Sequence, residues 1–265
     1  MTSLSPRAFF ETFLKLTDEF AQDEEYGVYP GDIFLGPTHG DLNAANIIVD
    51  YEANVWLIDF AKSTLKDHNM RDIAKLESCL IFEYTKITES TFDIAIEITD
   101  SLASMTDLRR APKMPRCLEN TAGRDEEFAP LRMLWKNVVL LREMAGVFSQ
   151  TNPTALQFTI AAMSFALRCI RYRDISDLQK RWALRAAMSY AYAFAQCLNK
   201  NGVGLTLPSL FAGSTSSTET VSRNTSSDTN SITSSNIIGN SGLDTFDAKQ
   251  YCLYVCVLQF YFSTH

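Results

Sequence analysis

The sequence has no uncharged amino-terminal stretch. Arg7, Glu11, Lys15, Asp18 and Glu19 interrupt its first helix-like segment, which excludes the apolar core of a secretory signal peptide. Nor is there a run of about 18 apolar residues anywhere, the least that a bilayer-spanning helix needs. Basic residues are not in excess: 24 Lys and Arg face 31 Asp and Glu, for a net charge of −7. That balance argues against a nucleic-acid binder relying on broad phosphate neutralisation. The six cysteines are scattered, with Cys252 and Cys256 the closest pair, so neither a disulfide framework nor a zinc site is expected. The eleven glycines include no G-x-G-x-x-G, the pattern that lets a backbone approach phosphates. The expectation is a cytoplasmic protein with no membrane span.

What is present is ordinary for a globular chain: 46% hydrophobic and 21% charged residues over 265 positions, enough for a sizeable core. Three regimes follow one another. Residues 1–212 look globular, with 1–27 read as an amino-terminal helix and 28–212 as the main folded domain. Ser, Thr, Asn and Gly dominate 213–242, too little apolar surface to offset the entropy of ordering, so a disordered linker is expected there. Residues 243–265 turn abruptly hydrophobic through Tyr251–Phe262, as a late strand or as a tail outside the fold.

Within the domain the pattern is mainly α with one small β-hairpin. Ser5 can cap a first helix with Pro6 at its first position, and Phe9, Phe13, Leu16 and Phe20 recur at helical spacing. Asn46–Asp50 and Val55–Phe60 are short β-rich runs about the turn Tyr51–Asn54, which read as a hairpin. Ile73, Leu76, Leu80 and Tyr84 mark the next helix. Residues 92–103 fit a helix, although Phe92, Ile94, Ile96 and Ile98 also alternate like a strand. A long polar loop is expected from Asp107 to Pro130. Phe128, Leu131, Trp135, Val138, Leu141, Ala145 and Phe148 then form the strongest helical stripe. Two alanine-rich helices close the domain, near 154–172 and 177–199, the second opened by a Ser176–Gln179 capping box.

The residues that carry chemistry lie around the hairpin. His39-Gly40-Asp41-Leu42 precede it, Asn46 opens its first strand and Asp59 lies at the end of its second. An antiparallel hairpin brings its outer ends together, so Asn46 and Asp59 should be neighbours, with Asp41 just outside them. Two carboxylates and an amide oxygen suit Mg²⁺, a hard cation that takes few protein oxygens together with phosphates and water.

This arrangement resembles the catalytic and metal-binding loops of the aminoglycoside phosphotransferase and choline kinase group, relatives of protein kinases. Val55–Ala61 and Arg71-Asp72-Ile73-Ala74-Lys75-Leu76-Glu77 are similar to one branch, the phosphotransferase-like ternary complex associated domain family. Leu167–Tyr172 and Gln179–Leu184 extend that likeness, so that it spans about 28–199. The resemblance implies a protein-kinase-like C-terminal lobe, ATP and Mg²⁺ as cofactors, and a hydroxyl of a small molecule or protein as substrate. It implies that Asp41 is catalytic and that Asn46 and Asp59 bind the metal and, through it, the nucleotide. His39 would brace the loop and Asp72 would buttress it. Only 38 residues precede His39, with no lysine on a strand to reach the phosphates, so the N-terminal lobe is missing from the pattern. The alternative is a non-catalytic, pseudokinase-like interaction module with a protein partner in a multi-component complex.

The remaining conspicuous residues take plainer readings. Trp56 and Trp135 sit on apolar stripes and are expected in the core, whereas Trp182 could line a helix–helix contact. His68 reads as a helix-start residue rather than a ligand. Arg168, Arg171, Arg173, Lys180, Arg181 and Arg185 read as a solvated face, since no aromatics interleave with them to stack bases.

Overall fold

The computed structural model describes residues 5–22, 35–120, 125–149 and 154–200. The acidic loop 23–26, the tract 213–242 and the run 243–265 lie outside the described residues.

Helix α1 (Pro6–Gln22) begins where Ser5 predicts, the Ser5 hydroxyl accepting from Ala8 N at 3.3 Å. Its Phe9 and Phe13 sink into the common core, and the Phe13 ring meets that of Phe194 edge-on at 6.1 Å. Two small antiparallel sheets follow. The expected hairpin pairs β2 (Ile47–Val49) with β3 (Val55–Leu57). Asp50 closes its turn by accepting from Glu52 N and Asn54 N, with Ala53 left-handed at φ 64°. A second sheet has no counterpart in the sequence reading. There β1 (Leu35–Thr38) pairs with β4 (Thr64–His68), 26 residues further on. Neither strand alternates clearly, and their pairing is long-range, so local periodicity cannot signal it.

The rest is helical: α2 (Arg71–Cys79) running into a π-turn at Leu80–Tyr84, α3 (Phe92–Ala103), a short α4 (Arg116–Glu119), α5 (Asp125–Phe148), α6 (Leu156–Cys169) and α7 (Asp177–Lys200). The strand alternative for 92–103 loses because Ala95, Ile98, Thr99 and Leu102 share the buried side of a helix. The fold class is therefore mainly α with a small β-hairpin.

Two expectations need correction here. The loop to Pro130 is shorter, because α5 starts at Asp125 and carries Pro130 inside it. A proline so near a helix start forfeits one hydrogen bond, and burial of Phe128 and Leu131 on either side of it outweighs that loss. Trp56 is not in the core: it is 59% exposed, while Trp135 and Trp182 are buried. Strands of three residues enclose no core of their own, so both faces of the hairpin carry apolar side chains at the surface. Phe148 likewise ends its stripe exposed.

Polar ties lock the bundle. The Ser176–Gln179 capping box forms reciprocally, and Gln179 Nε2 also donates to the Phe82 and Thr85 carbonyls. Arg142 and Glu77, both 1% exposed, make a bidentate pair at 2.6 and 2.7 Å. The guanidinium stacks 4.0 Å from the Phe158 ring centre.

Candidate functional site

The site is built where the loop 39–46, the end of β3 and the start of α2 meet. Gly40 is left-handed at φ +81°, and a side-chain carbon there would lie 2.0 Å from the Lys62 carbonyl oxygen. Only glycine lets the two segments touch. The loop is held from below by Asp72, whose carboxylate accepts from His39 N at 2.6 Å and Gly40 N at 3.0 Å. Asp72 stands in the first turn of α2, so the helix carries its own buttress for the loop. His39 is buried and its Nε2 donates to the Ile58 carbonyl at 2.8 Å. A carbonyl only accepts, so Nε2 must hold the proton. The imidazole also packs on Phe60, 4.7 Å between ring centres.

Asn46, Asp41 and Asp59 are tied by backbone. Asn46 Nδ2 donates to the Asp41 carbonyl at 3.0 Å, and the Asn46 carbonyl accepts from Ile58 N at 3.0 Å. The register Ile47↔Leu57 thus places Asn46 across from Ile58, with Asp59 next along the chain. Asp59 is left-handed at φ 62°, ψ 61° and exposed, and its side chain caps nothing in the turn that follows. Such backbone costs a non-glycine residue on the order of 1 kcal/mol or more, and strain of this kind concentrates at functional positions.

Asp41 is held by a cation. Partial burial is the largest effect and pushes its pKa up, while the hydrogen bond and charge of Lys62 Nζ, 2.7 Å from Oδ2, pull it down. Lys75 and Arg168 add attraction from further away, so the carboxyl sits below its ordinary range. Lys75 is a buried cation: Nζ lies 3.4 Å from Tyr172 Oη and 3.7 Å from Glu83, with the Phe165 and Tyr172 rings at 5.7 Å. Burial alone would lower its pKa, yet Cys79, Tyr172 and Glu83 raise it overall. Arg168 also approaches this group, 5.7 Å from the Phe165 ring centre.

Lys62, Lys75 and Arg168 are the residues that sequence reasoning missed here. Lys62 had one readable sign, its place three residues after Asp59; the others approach only through helix packing. His68 ends β4 instead of opening a helix. Burial pushes its pKa down to about 4, which leaves the imidazole neutral.

The donor set fits Mg²⁺ better than zinc. Asn46 spends its amide donor on Asp41, which leaves the amide's acceptor end for another partner, and the Asp59 carboxylate is open to solvent. Among the described residues no three His, Cys, Asp or Glu side chains gather to hold a metal by themselves. A cation here would have to bring phosphate or water oxygens of its own.

The fold and site together define a mainly helical domain with a braced acidic loop beside a surface hairpin. The profile of the ternary complex associated domain 9 family matches residues 2–170, more than half of the chain, and the chain belongs to that family. The match takes in α1, which the expected span of 28–199 left out, and stops before α7. No curated protein and no solved structure matches the chain. Among the described residues, no helix is long and apolar enough to cross a membrane.

Proposed function

We propose that this chain is a kinase-like phosphotransferase domain, related to the aminoglycoside phosphotransferase and choline kinase group, working in the cytoplasm with ATP and Mg²⁺. Asp41 accepts or orients the hydroxyl of a small molecule or protein, and Asn46 and Asp59 hold the Mg²⁺ that bridges the nucleotide phosphates. The observation carrying this reading is the bonding of Asn46 to both the Asp41 carbonyl and Ile58 N, which ties the three residues to one hairpin mouth. Asp41 is ionised at neutral pH and so poised as an acceptor, although it must be shared between Lys62 and the incoming hydroxyl. Without a glycine-rich loop over the phosphates, transfer by this chain alone should be weak. Mg-ATP should raise the melting temperature of the wild-type chain and leave Asp59→Ala unmoved. If neither protein responds, the chain is not a nucleotide-binding unit.

A second reading, a non-catalytic interaction module of a multi-component complex, is favoured by the exposed hairpin. Val49, Val55 and Trp56 are each more than half exposed, beside Phe60 and Leu65, an apolar concentration of the kind that marks binding surfaces. The family's name, ternary complex associated domain, fits a protein partner. On this reading an Asp41→Ala/Asp59→Ala double variant still assembles into its complex, whereas Trp56→Ser does not. The opposite pattern removes it.

A further inference from the structure

Helix α5 is apolar on two opposite sides. Phe128, Leu131, Trp135, Val138 and Ala145 face the core, whereas Met133, Leu140, Met144 and Val147 are each half-exposed or more on the outer side. Met133, Leu140 and Val147 are seven residues apart. An α-helix drifts about 20° per heptad, so the three stay on nearly one line, about 21 Å long. Lys136 and Glu143 flank that line on one and the same side, about 40–60° off it, one before Leu140 and one after it. Both are exposed, and neither has an ion-pair partner among the described residues.

That order of charges decides what fits. A second copy laid parallel would put the two charged flanks on opposite edges of the seam and leave Lys136 and Glu143 without a partner across it. Laid antiparallel about Leu140, each Lys136 meets Glu143 of the partner subunit, and Met133 meets the partner subunit's Val147. We propose that the outer face of α5 joins two copies of this chain, antiparallel about a two-fold axis at Leu140. Self-complementarity across a two-fold axis is the commonest solution for oligomers. The exposed hairpin cannot pair with itself in this way, since its turn carries Asp50 and Glu52 and no basic residue.

The stripe offers a few hundred Å² per copy, below the roughly 800 Å² of a standard interface, so the association is weak and concentration-dependent. It is independent of the chemistry proposed for Asp41 and Asp59.

Sedimentation equilibrium of the full chain tests it. The apparent mass should climb from 29.8 kDa toward twice that value as concentration rises. Leu140→Lys and Lys136→Glu should each weaken the dimer about tenfold or more, with an unchanged melting temperature because both side chains are at the surface. The double variant Lys136→Glu/Glu143→Lys should restore it, whereas in a parallel arrangement, which does not pair these two charges, neither the single nor the double charge variant would change the dimer. A mass that stays at one copy throughout, or a dimer untouched by Leu140→Lys and Lys136→Glu, overturns the proposal.

Discussion

Lys62 meets the Asp41 loop twice: its ammonium lies 2.7 Å from Asp41 Oδ2, and its carbonyl oxygen fills the space where Gly40 would otherwise carry a side chain. One residue from beyond the hairpin thus sets both the backbone path and the charge of the candidate catalytic carboxylate. The pairing also lowers the Asp41 pKa, with Lys75 and Arg168 adding to the effect.

Replacing Lys62 by Met should raise the Asp41 pKa toward the ordinary carboxylate range, as followed by NMR titration of the side-chain carboxyl. The sign has a consequence for stability. Because the folded-state pKa of Asp41 is depressed, its contribution is present above the unfolded value and lost as pH falls through the folded one. The wild-type chain should therefore lose more stability than Lys62→Met on acidification through the carboxylate range. Equal losses in both proteins would show that the pair does not perturb Asp41.

Asp72 gathers two loop N–H groups with one carboxylate. Asp72→Ala leaves both without that acceptor and should cost about 2–4 kcal/mol in urea unfolding. Asp72→Asn keeps one acceptor oxygen and should recover about half of that. Gly40→Ala adds a methyl group into the Lys62 backbone at a left-handed position and should cost at least as much as Asp72→Ala, with Lys62→Ala giving no relief because the obstructing atom is main chain. Relief by Lys62→Ala would mean that the side chain, not the backbone, sets the approach.

The buried pair Arg142–Glu77 should behave asymmetrically. Glu77→Ala strands a guanidinium that is 1% exposed and should cost about 3–5 kcal/mol. Exchanging both partners for apolar residues, Glu77→Leu with Arg142→Met, should come within about 2 kcal/mol of wild type, since no charge then remains buried. Comparable destabilisation of the single and double variants would assign the effect to packing against Phe158 instead.

Much of this architecture is legible from local pattern. The Ser5 cap, the Ser176–Gln179 capping box, the hairpin and the inner stripe of α5 each depend on residues a few positions apart, where sequence spacing and spatial spacing coincide. The second sheet was not legible, because β1 and β4 pair across 26 residues and neither alternates. Trp56 misled for a related reason: an apolar stripe says that a side is hydrophobic, not that anything covers it. The two apolar sides of α5 show the same limit, since Phe148 belongs by spacing to the inner stripe and by exposure to the outer one.

At the site the division is similar. The order His39, Asp41, Asn46, Asp59 and the hairpin between them follow from the sequence, because an antiparallel turn has only one way to bring its ends together. What surrounds Asp41 was decided by tertiary structure alone. Lys62 reaches it across the Gly40 contact, while Lys75 and Arg168 act from α2 and from the end of α6, helices that pack side by side. Charge acts through space, and the positions that share a space are set by packing among distant segments, which no spacing along the chain records.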